Sequence, residues 1–275
     1  MIGYRFHVLR YKLLFDKVSS MYQEHSLYVQ PENEDIKVWR CMDFTKFVSL
    51  LDSRCLFFSR ADKFEDPFEG AWPRKNILVH GQHPLIKETI KSLPRHHAIN
   101  CWHMNEHESA AMWKLYTKSN EGIAVQSTYK KFRGAIIDIK GVFVGIVKYI
   151  DYTTGSIDAQ NLLNAFVHKR KSFEHECEAR AVVWWPPYLA WLDQIGWKPM
   201  DGPMPIPSLS DIDDSNETID AGLNIKVNIE ALIEHIYVAP NSPAWFADLV
   251  KAVLKQYKYD NIPVVHSKLD EKPIW

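Results

Sequence analysis

Cysteine is scarce in this sequence, charge of either sign is not in excess, and long apolar runs are missing. Four cysteines occur in 275 residues, at Cys41, Cys55, Cys101 and Cys177. None forms a C-x-x-C pair, and each lies in or beside an apolar segment. That excludes a disulfide framework and fits free, buried thiols in a reducing cytosol. Thirty-three Lys and Arg face thirty-four Asp and Glu, a formal net charge of -1. A large sequence-independent grip on nucleic acid is therefore not expected from charge alone, although a local basic patch is compatible with it. No stretch approaches the length of a membrane span. The opening "MIGYRFHVLRYKLLF" is interrupted by Arg5, Arg10 and Lys12, so it lacks the apolar region of a signal peptide. These absences predict a soluble, cytoplasmic protein with no membrane partner, and they leave its oligomeric state open. No internal repeat is present.

What is present is aromatic and apolar. Hydrophobic residues make up 46%, with 10 Trp, 12 Tyr and 13 Phe. That is enough for one sizeable core and for aromatic-lined clefts. Residues 1–35 read as an appended arm, basic and aromatic at first and polar at "QPENED", with an amphipathic helix around 12–24. Beyond it, "IKVWRCM" and "CLFFSRA" read as strands around a helix "FTKFVSLLDS" that Asp43 can cap. "DKFEDPFEG" is a polar loop, and a helix is expected near 84–93. "AINCWHM" is a strand, followed from Asn105 by a capped helix "HESAAMWKLYTK". "GIAVQST", "GAIIDIK" and "VFVGIVKYIDY" are strand candidates, and 158–170 reads as a helix. Residues 199–222 hold four Pro and six acidic residues with no Lys or Arg, a flexible excursion rather than core. The strand "LNIKVN", a short helix at 229–234, the strand "HIYVAP", a helix from Ser242-Pro243 to about Gln256 and the strand "IPVVHS" complete the chain. Irregularly interleaved short strands and helices predict an α+β fold: mixed, largely antiparallel sheets with flanking helices in one compact domain over 36–275.

Several residues carry chemistry. "HMNEH" contains His103, Glu106 and His107 in H-x-x-E-H spacing, which zinc hydrolases present on one helix. With a helix starting at Asn105, His103 falls on the preceding strand and the two imidazoles do not share a helical face. A metal site is therefore not favoured. In "SFEHECEARAVVWW", strict alternation puts Glu174, Glu176, Glu178 and Arg180 on one strand face, at steps of about 7 Å. Such carboxylates need partners, and Arg180, Lys171 or Arg40 can supply them. Grouped carboxylates beside a cation suit proton transfer or stabilisation of a cation; a solvated strand face or a buried ion network is the structural alternative. Arg40, between apolar neighbours, needs an anion if it faces inward. Trp113 and Tyr116, three apart on a helix, suit core packing or stacking on a flat ligand.

The order "VWRCMDFTKFVSLLDSRCLFFSRADKFEDPFEG", "CWHMNEHESAAMWKLYTKSNEGIAVQST" and "KSFEHECEAR" resembles the domain of unknown function 2971 family. The matching positions are Arg40, Phe64, Asp66, Pro67, Glu69, Met112, Trp113, Tyr116, Gly122, Lys171, Phe173, Glu176, Glu178 and Arg180. The resemblance covers roughly 36–275, including "VVHSKLDEKP", and departs at Glu65, where Asn is more usual, and in the arm. An Arg on an early strand, a Ser on the next and E-x-E on a late strand is similar to the R-S-E pattern of ADP-ribosyltransferases. That second resemblance implies Arg40 on NAD phosphates, Ser59 at the nicotinamide-side ribose, and Glu176 or Glu178 opposite the developing oxocarbenium ion. Trp113 or Tyr116 would stack on nicotinamide, and Arg180, Asp66 and His103 would complete the binding site. It implies NAD as substrate and no metal. The partners would be a small-molecule nucleotide and a protein or nucleic-acid target. Two other readings fit the same residues. One is a metal-dependent hydrolase or nuclease using Asp66, Glu176, Glu178 and His103. The other is a non-catalytic binding module whose Glu176, Glu178, Arg180 and Arg40 form a buried ion network.

Overall fold

The computed structural model describes residues 25–80, 87, 90–138, 141–159, 161, 163–184 and 221–274. The helix expected at 12–24, Trp185 and nearly all of the 199–222 excursion lie outside these residues, as does half of the helix expected at 84–93. Eleven strands are present: β1 (Lys37–Asp43), β2 (Cys55–Arg60), β3 (His97–Met104), β4 (Gly122–Thr128), β5 (Val142–Ile146), β6 (Lys148–Ile150), β7 (His168–Arg170), β8 (Glu178–Trp184), β9 (Gly222–Lys226), β10 (His235–Val238) and β11 (Val264–His266). The helices are α1 (Phe44–Ser53), α2 (Arg74–His80), α3 (Ala110–Tyr116), α4 (Tyr129–Gly134), α5 (Asn164–Val167), α6 (Ile229–Leu232) and α7 (Ala244–Gln256). The architecture is a single α+β domain with mixed, mostly antiparallel pairing, as expected. Among the described residues no helix is long and apolar enough to cross a membrane.

Strand β3 organises the sheet. One of its edges pairs antiparallel with β8 from His97↔Trp184 to His103↔Glu178, and β8 pairs onward with β5. The other edge is shared by two strands. β1 pairs at Val38↔Met104 and Trp39↔His103, and β2 pairs at Ser59↔Ile99 and Arg60↔Ala98. Beyond β1 the sheet continues through β4 and β10 to β11; beyond β2 lies β9. The sheet therefore forks, and on that edge neither strand pairs with Asn100–Trp102. Side chains fill in: Asn100 Nδ2 donates to the Phe57 carbonyl (2.8 Å), and Arg40 Nη1 donates to the Cys101 carbonyl (2.6 Å). Backbone groups that lose a strand partner inside a protein need such replacements.

Alternation along "AINCWHM" explains the two layers of core. Ala98 and Trp102 join Phe47, Leu51, Val144, Val183 and Phe246 on one face. Ile99 joins Tyr28, Phe143, Phe166 and Val182 on the other. β8 is covered on both faces, so "EARAVVW" is buried almost throughout, the pattern of a central strand. Tyr28 stacks on Phe143 (5.2 Å) and is 3% exposed, so the described end of the 1–35 arm lies against β5.

Local departures from the expected elements have physical causes. Helix α3 begins at Ala110, not after Asn105, because Ser109 is the residue that caps it, Oγ accepting from Met112 N. Asn105 instead closes a turn, Oδ1 accepting from His107 N. Asp43 precedes α1 but makes no cap bond; its carboxylate accepts from Lys118 N. The helix expected over 158–170 shrinks to the single turn α5. Every residue of that turn is buried, its Asn164 reaches back to the Asp158 carbonyl, and the chain then pairs β7 with β6. The described residues of "GAIIDIK" contribute an isolated bridge, Ile136↔Val227, rather than a strand, since Gly134 still belongs to α4. Pro243, not Ser242, stands at the start of α7, and the Ser242 hydroxyl is buried without a partner. Cys177 is exposed rather than buried.

Candidate functional site

The E-x-E segment is not one strand. Lys171–Glu176 is a 3-10 helix, and Cys177 has φ 41°, a left-handed conformation uncommon outside glycine. Only then does β8 begin, at Glu178. Glu174 thus leaves the group altogether. Glu176 returns beside Glu178 because the left-handed residue reverses the chain between them. The alternation in the sequence mimics a strand, but a turn of 3-10 helix brings Glu176 and Glu178 together just as well.

The carboxylates meet Arg180, one of the cations the sequence offered, and Lys169, which the spacing did not single out. Lys169 Nζ contacts both Glu176 and Glu178. Arg180 binds Glu178 through Nε (3.0 Å) and Nη2 (2.7 Å), and Glu69 through Nη1 (2.5 Å) and Nη2 (3.2 Å). Arg180 Nη1 also donates to the Phe166 carbonyl (3.0 Å). All five residues are buried. Of the three cations expected as partners, Arg180 is the one that pairs; among the described residues neither Lys171 nor Arg40 does. Lys169 was legible in part, as the one residue of "HKRK" that alternation in β7 turns inward, opposite in sense to Arg170.

Formally three carboxylates, Glu69, Glu176 and Glu178, face two cations, Lys169 and Arg180. Burial opposes ionisation of Glu178, but Arg180 and Lys169 outweigh it and hold the carboxyl well below the usual range. Burial also works against the charge on Lys169; Glu178 more than offsets it and raises the ammonium. Glu176 goes the other way, pushed up to about 7 by burial and by its contact with Glu178. Burial also raises Glu69, against the pull of Arg180, so the charge of the cluster depends on both carboxyls, and Glu176 is the one that changes charge near neutrality. A raised carboxyl means that the folded protein binds this proton more tightly than the unfolded chain. Its contribution to stability therefore declines as pH rises from the ordinary carboxylate range through about 7. In a Tm-versus-pH series from pH 5 to 8, Glu176→Gln is expected to be flatter on the alkaline side than the parent. Parallel curves would remove Glu176 as the titrating group.

His103 ends β3 next to this cluster. Its Nδ1 pairs with the Glu176 carbonyl (2.7 Å), which only accepts, so Nδ1 carries the proton. Nε2 is then the lone-pair nitrogen; it is buried and has no partner. Burial lowers the pKa of the ring and keeps it neutral. His107 lies in the loop after β3, so H-x-x-E-H is not on one helix. Among the described residues no three His, Cys, Asp or Glu are grouped to hold a metal ion.

Arg40 stands apart. Register with β4 pairs it with Val125, so its stem leaves the same face of the sheet as Val38 and Met42. Its guanidinium reaches the Cys101 carbonyl in the open part of the fork. Desolvation lowers its pKa, opposed only by the neighbouring Cys101, Tyr116 and Cys41 groups. Among the described residues it has no carboxylate partner. Tyr116 links the two groups electrostatically: burial raises its pKa first, and then Glu176, Cys101 and Glu178 add to that. Its ring is 47% exposed.

The other expected residues are more dispersed. Ser59 pairs with Ile99, on the face of β3 that also carries Cys101 and His103, at the far end of the open stretch. Trp113 packs with Trp39, Ala124 and Ala239, and its Nε1 donates to Glu108 (3.1 Å). Asp66 is held by Arg170 through Nη2 (2.7 Å) and Nε (3.2 Å), and also accepts from Phe68 N. The fold thus assembles Glu176, Glu178, Arg180 and His103, brings Tyr116 within electrostatic reach of both that cluster and Arg40, and leaves Asp66 and Trp113 in other contacts.

No protein-family model matches the chain, so the likeness to the domain of unknown function 2971 family stays a resemblance. No curated protein matches it either. Three solved structures are similar. Thermus sp. 2.9 DarT in complex with carba-NAD+ is 13% identical, over 86% of this chain and 98% of that one, with a TM-score of 0.35. Thermus sp. 2.9 DarT in complex with NAD+ is 10% identical, over 88% and 98%, with a TM-score of 0.40. Thermus sp. 2.9 DarT in complex with ADP-ribosylated ssDNA is 11% identical, over 88% and 97%, with a TM-score of 0.39. At these values the likeness carries no argument about the site.

Proposed function

We propose that this protein is an ADP-ribosyltransferase-like enzyme that uses NAD or a related nucleotide. The observation that carries this reading is Arg40, a desolvated guanidinium in the fork of the sheet with a single carbonyl acceptor and no described carboxylate. A cation in that state is matched by a pyrophosphate, which accepts from a guanidinium at two points. Glu176 is the second element. Its carboxyl changes charge near neutrality, and when ionised it suits a substrate region where positive charge grows. Glu178, clamped by both cations, positions Lys169 and through it Glu176. Ser59 would meet the nicotinamide-side ribose, and the exposed Tyr116 ring would stack on nicotinamide.

In the proposed reaction the bond between the nicotinamide nitrogen and ribose C1′ breaks, and its electron pair leaves with nicotinamide. Positive charge develops on C1′ and the ring oxygen, opposite the Glu176 carboxylate. The acceptor's lone pair forms the new bond and its proton is lost to solvent. With water as acceptor the products are ADP-ribose, nicotinamide and a proton. The acceptor in the cell is a protein or nucleic-acid target in this reading.

The test is nicotinamide release from NAD. The parent protein is expected to exceed background, and a Glu176→Gln, Glu178→Gln double variant to lose about 10²-fold or more of that excess. Equal traces from the two proteins would sink the proposal.

A further inference from the structure

A cleft of about 720 Å³, whose lining includes neither Arg40 nor Glu176, is bordered by residues 68–77, the end of β6 and the chain just after β7. We propose that it binds a free nucleoside monophosphate, independently of the reaction at Arg40. Alternation in β7 separates the two places: Lys169 turns to the buried carboxylates while Arg170 and the following Lys171 line the cleft.

The walls are apolar and fixed. Phe68 and Ile77 present 41% and 38% of their surface, and Tyr152 meets the Phe68 ring edge-on at 5.8 Å. Asn76 of α2 ties the opposite loop in place, Nδ2 donating to the Ile157 carbonyl (2.7 Å) and Oδ1 accepting from Ile157 N (2.9 Å). Arg74 N donates to the Tyr152 carbonyl (3.0 Å). Such a rigid, partly aromatic slot suits a flat ring, and its volume is in the range of small-molecule sites.

Its polar groups are nearly all donors. Trp72 lines the cleft, is 6% exposed, and its buried Nε1–H has no acceptor among the described residues. Arg74 and Lys171 have no acidic partner among the described residues. Arg170 spends Nε and Nη2 on Asp66, and its guanidinium lies 4.5 Å over the Phe68 ring. For its Nη1 no described residue supplies an acceptor. The one carboxylate in the wall, Asp151, is occupied by its own turn, accepting from Thr153 N (2.8 Å) and Thr154 Oγ1 (2.9 Å). A buried N–H left without an acceptor is costly, and a ligand rich in acceptors relieves it. The complement of two free cations, an orphaned indole N–H and an exposed apolar wall is an anion joined to a flat, acceptor-bearing ring. A base with its 5′-phosphate has that composition.

The experiment is titration of the full chain with AMP and UMP at low salt, by calorimetry or ligand-observed NMR. Saturable binding is expected, about tenfold weaker for adenosine or inorganic phosphate alone. Trp72→Phe, which keeps a ring and removes the N–H, is expected to weaken AMP about tenfold. Lys171→Gln, at an exposed position that leaves the core untouched, is expected to do the same if Trp72→Phe fails to fold. Arg40→Gln is expected to leave this binding unchanged, so failure of the NAD reading and failure of this one are distinguishable. No mononucleotide binding at millimolar concentration would overturn the inference. So would binding only of an oligonucleotide, binding insensitive to both cleft variants, or binding lost in Arg40→Gln.

Discussion

Arg180→Met is expected to lower the melting temperature by roughly 10 °C. The substitution keeps volume but leaves Glu69 and Glu178 buried without a guanidinium. Removing one partner from a buried ion network costs about 3–5 kcal/mol, because the remaining charges stay desolvated. In a domain of this size each kcal/mol moves Tm by about 2–4 °C. Arg180 is also among the largest fully buried side chains, at 1% exposed, so solvent does not rescue the orphaned carboxylates. Thermal unfolding followed by circular dichroism at pH 7 measures the change. A Tm within a degree or two of the parent would mean that the cluster is open to water and that the ion pairs are not the main hold on β8.

Arg40→Met is expected to behave in the opposite way. It removes a cation that no described carboxylate compensates, which offsets the loss of one hydrogen bond to the Cys101 carbonyl. The net change in stability is expected to lie within about 1 kcal/mol of zero. Nicotinamide release, in contrast, is expected to fall about 10²-fold or more, since the pyrophosphate loses its fixed counter-charge. The contrast between a fully buried arginine and a half-buried one in the same molecule is the informative quantity. If Arg40→Met destabilises as much as Arg180→Met, Arg40 belongs to the framework and the ligand reading of it fails.

The sequence made the α+β architecture and the order of most strands legible. "GIAVQST", "CLFFSRA" and "HIYVAP" are short, β-branched or aromatic runs bounded by turn residues, and local pattern suffices there. It failed where tertiary contacts decide. Phe173, His175 and Cys177 alternate with Glu174, Glu176 and Glu178 as in a strand, yet a left-handed Cys177 and a 3-10 turn separate Glu176 from β8. Burial on all sides, which periodicity does not report, reduced 158–170 to one helical turn. Part of the site was legible by residue type: an inward Arg needing an anion, and grouped carboxylates needing cations. Which cation serves which carboxylate was not, because Lys169, Glu69 and Arg180 meet across 111 residues of chain. Arg40 and Arg180 look alike in sequence, each on an apolar strand. Only the packing separates the one that is paired from the one that is not.

The fork in the sheet has a consequence for how the distance between the two ends of a ligand is set. Arg40 rides on the half that runs from β1 outward to β11, and Glu176 and Glu178 ride on the half built from β3 and β8. On the shared edge of β3 those halves are stitched by only two residue pairs, Val38↔Met104 and Trp39↔His103. The span from guanidinium to carboxylate therefore crosses that short junction. Met104 forms one of those two pairs, with Val38, and packs against the same core cluster, so a change of bulk there acts on the junction without removing a charged group.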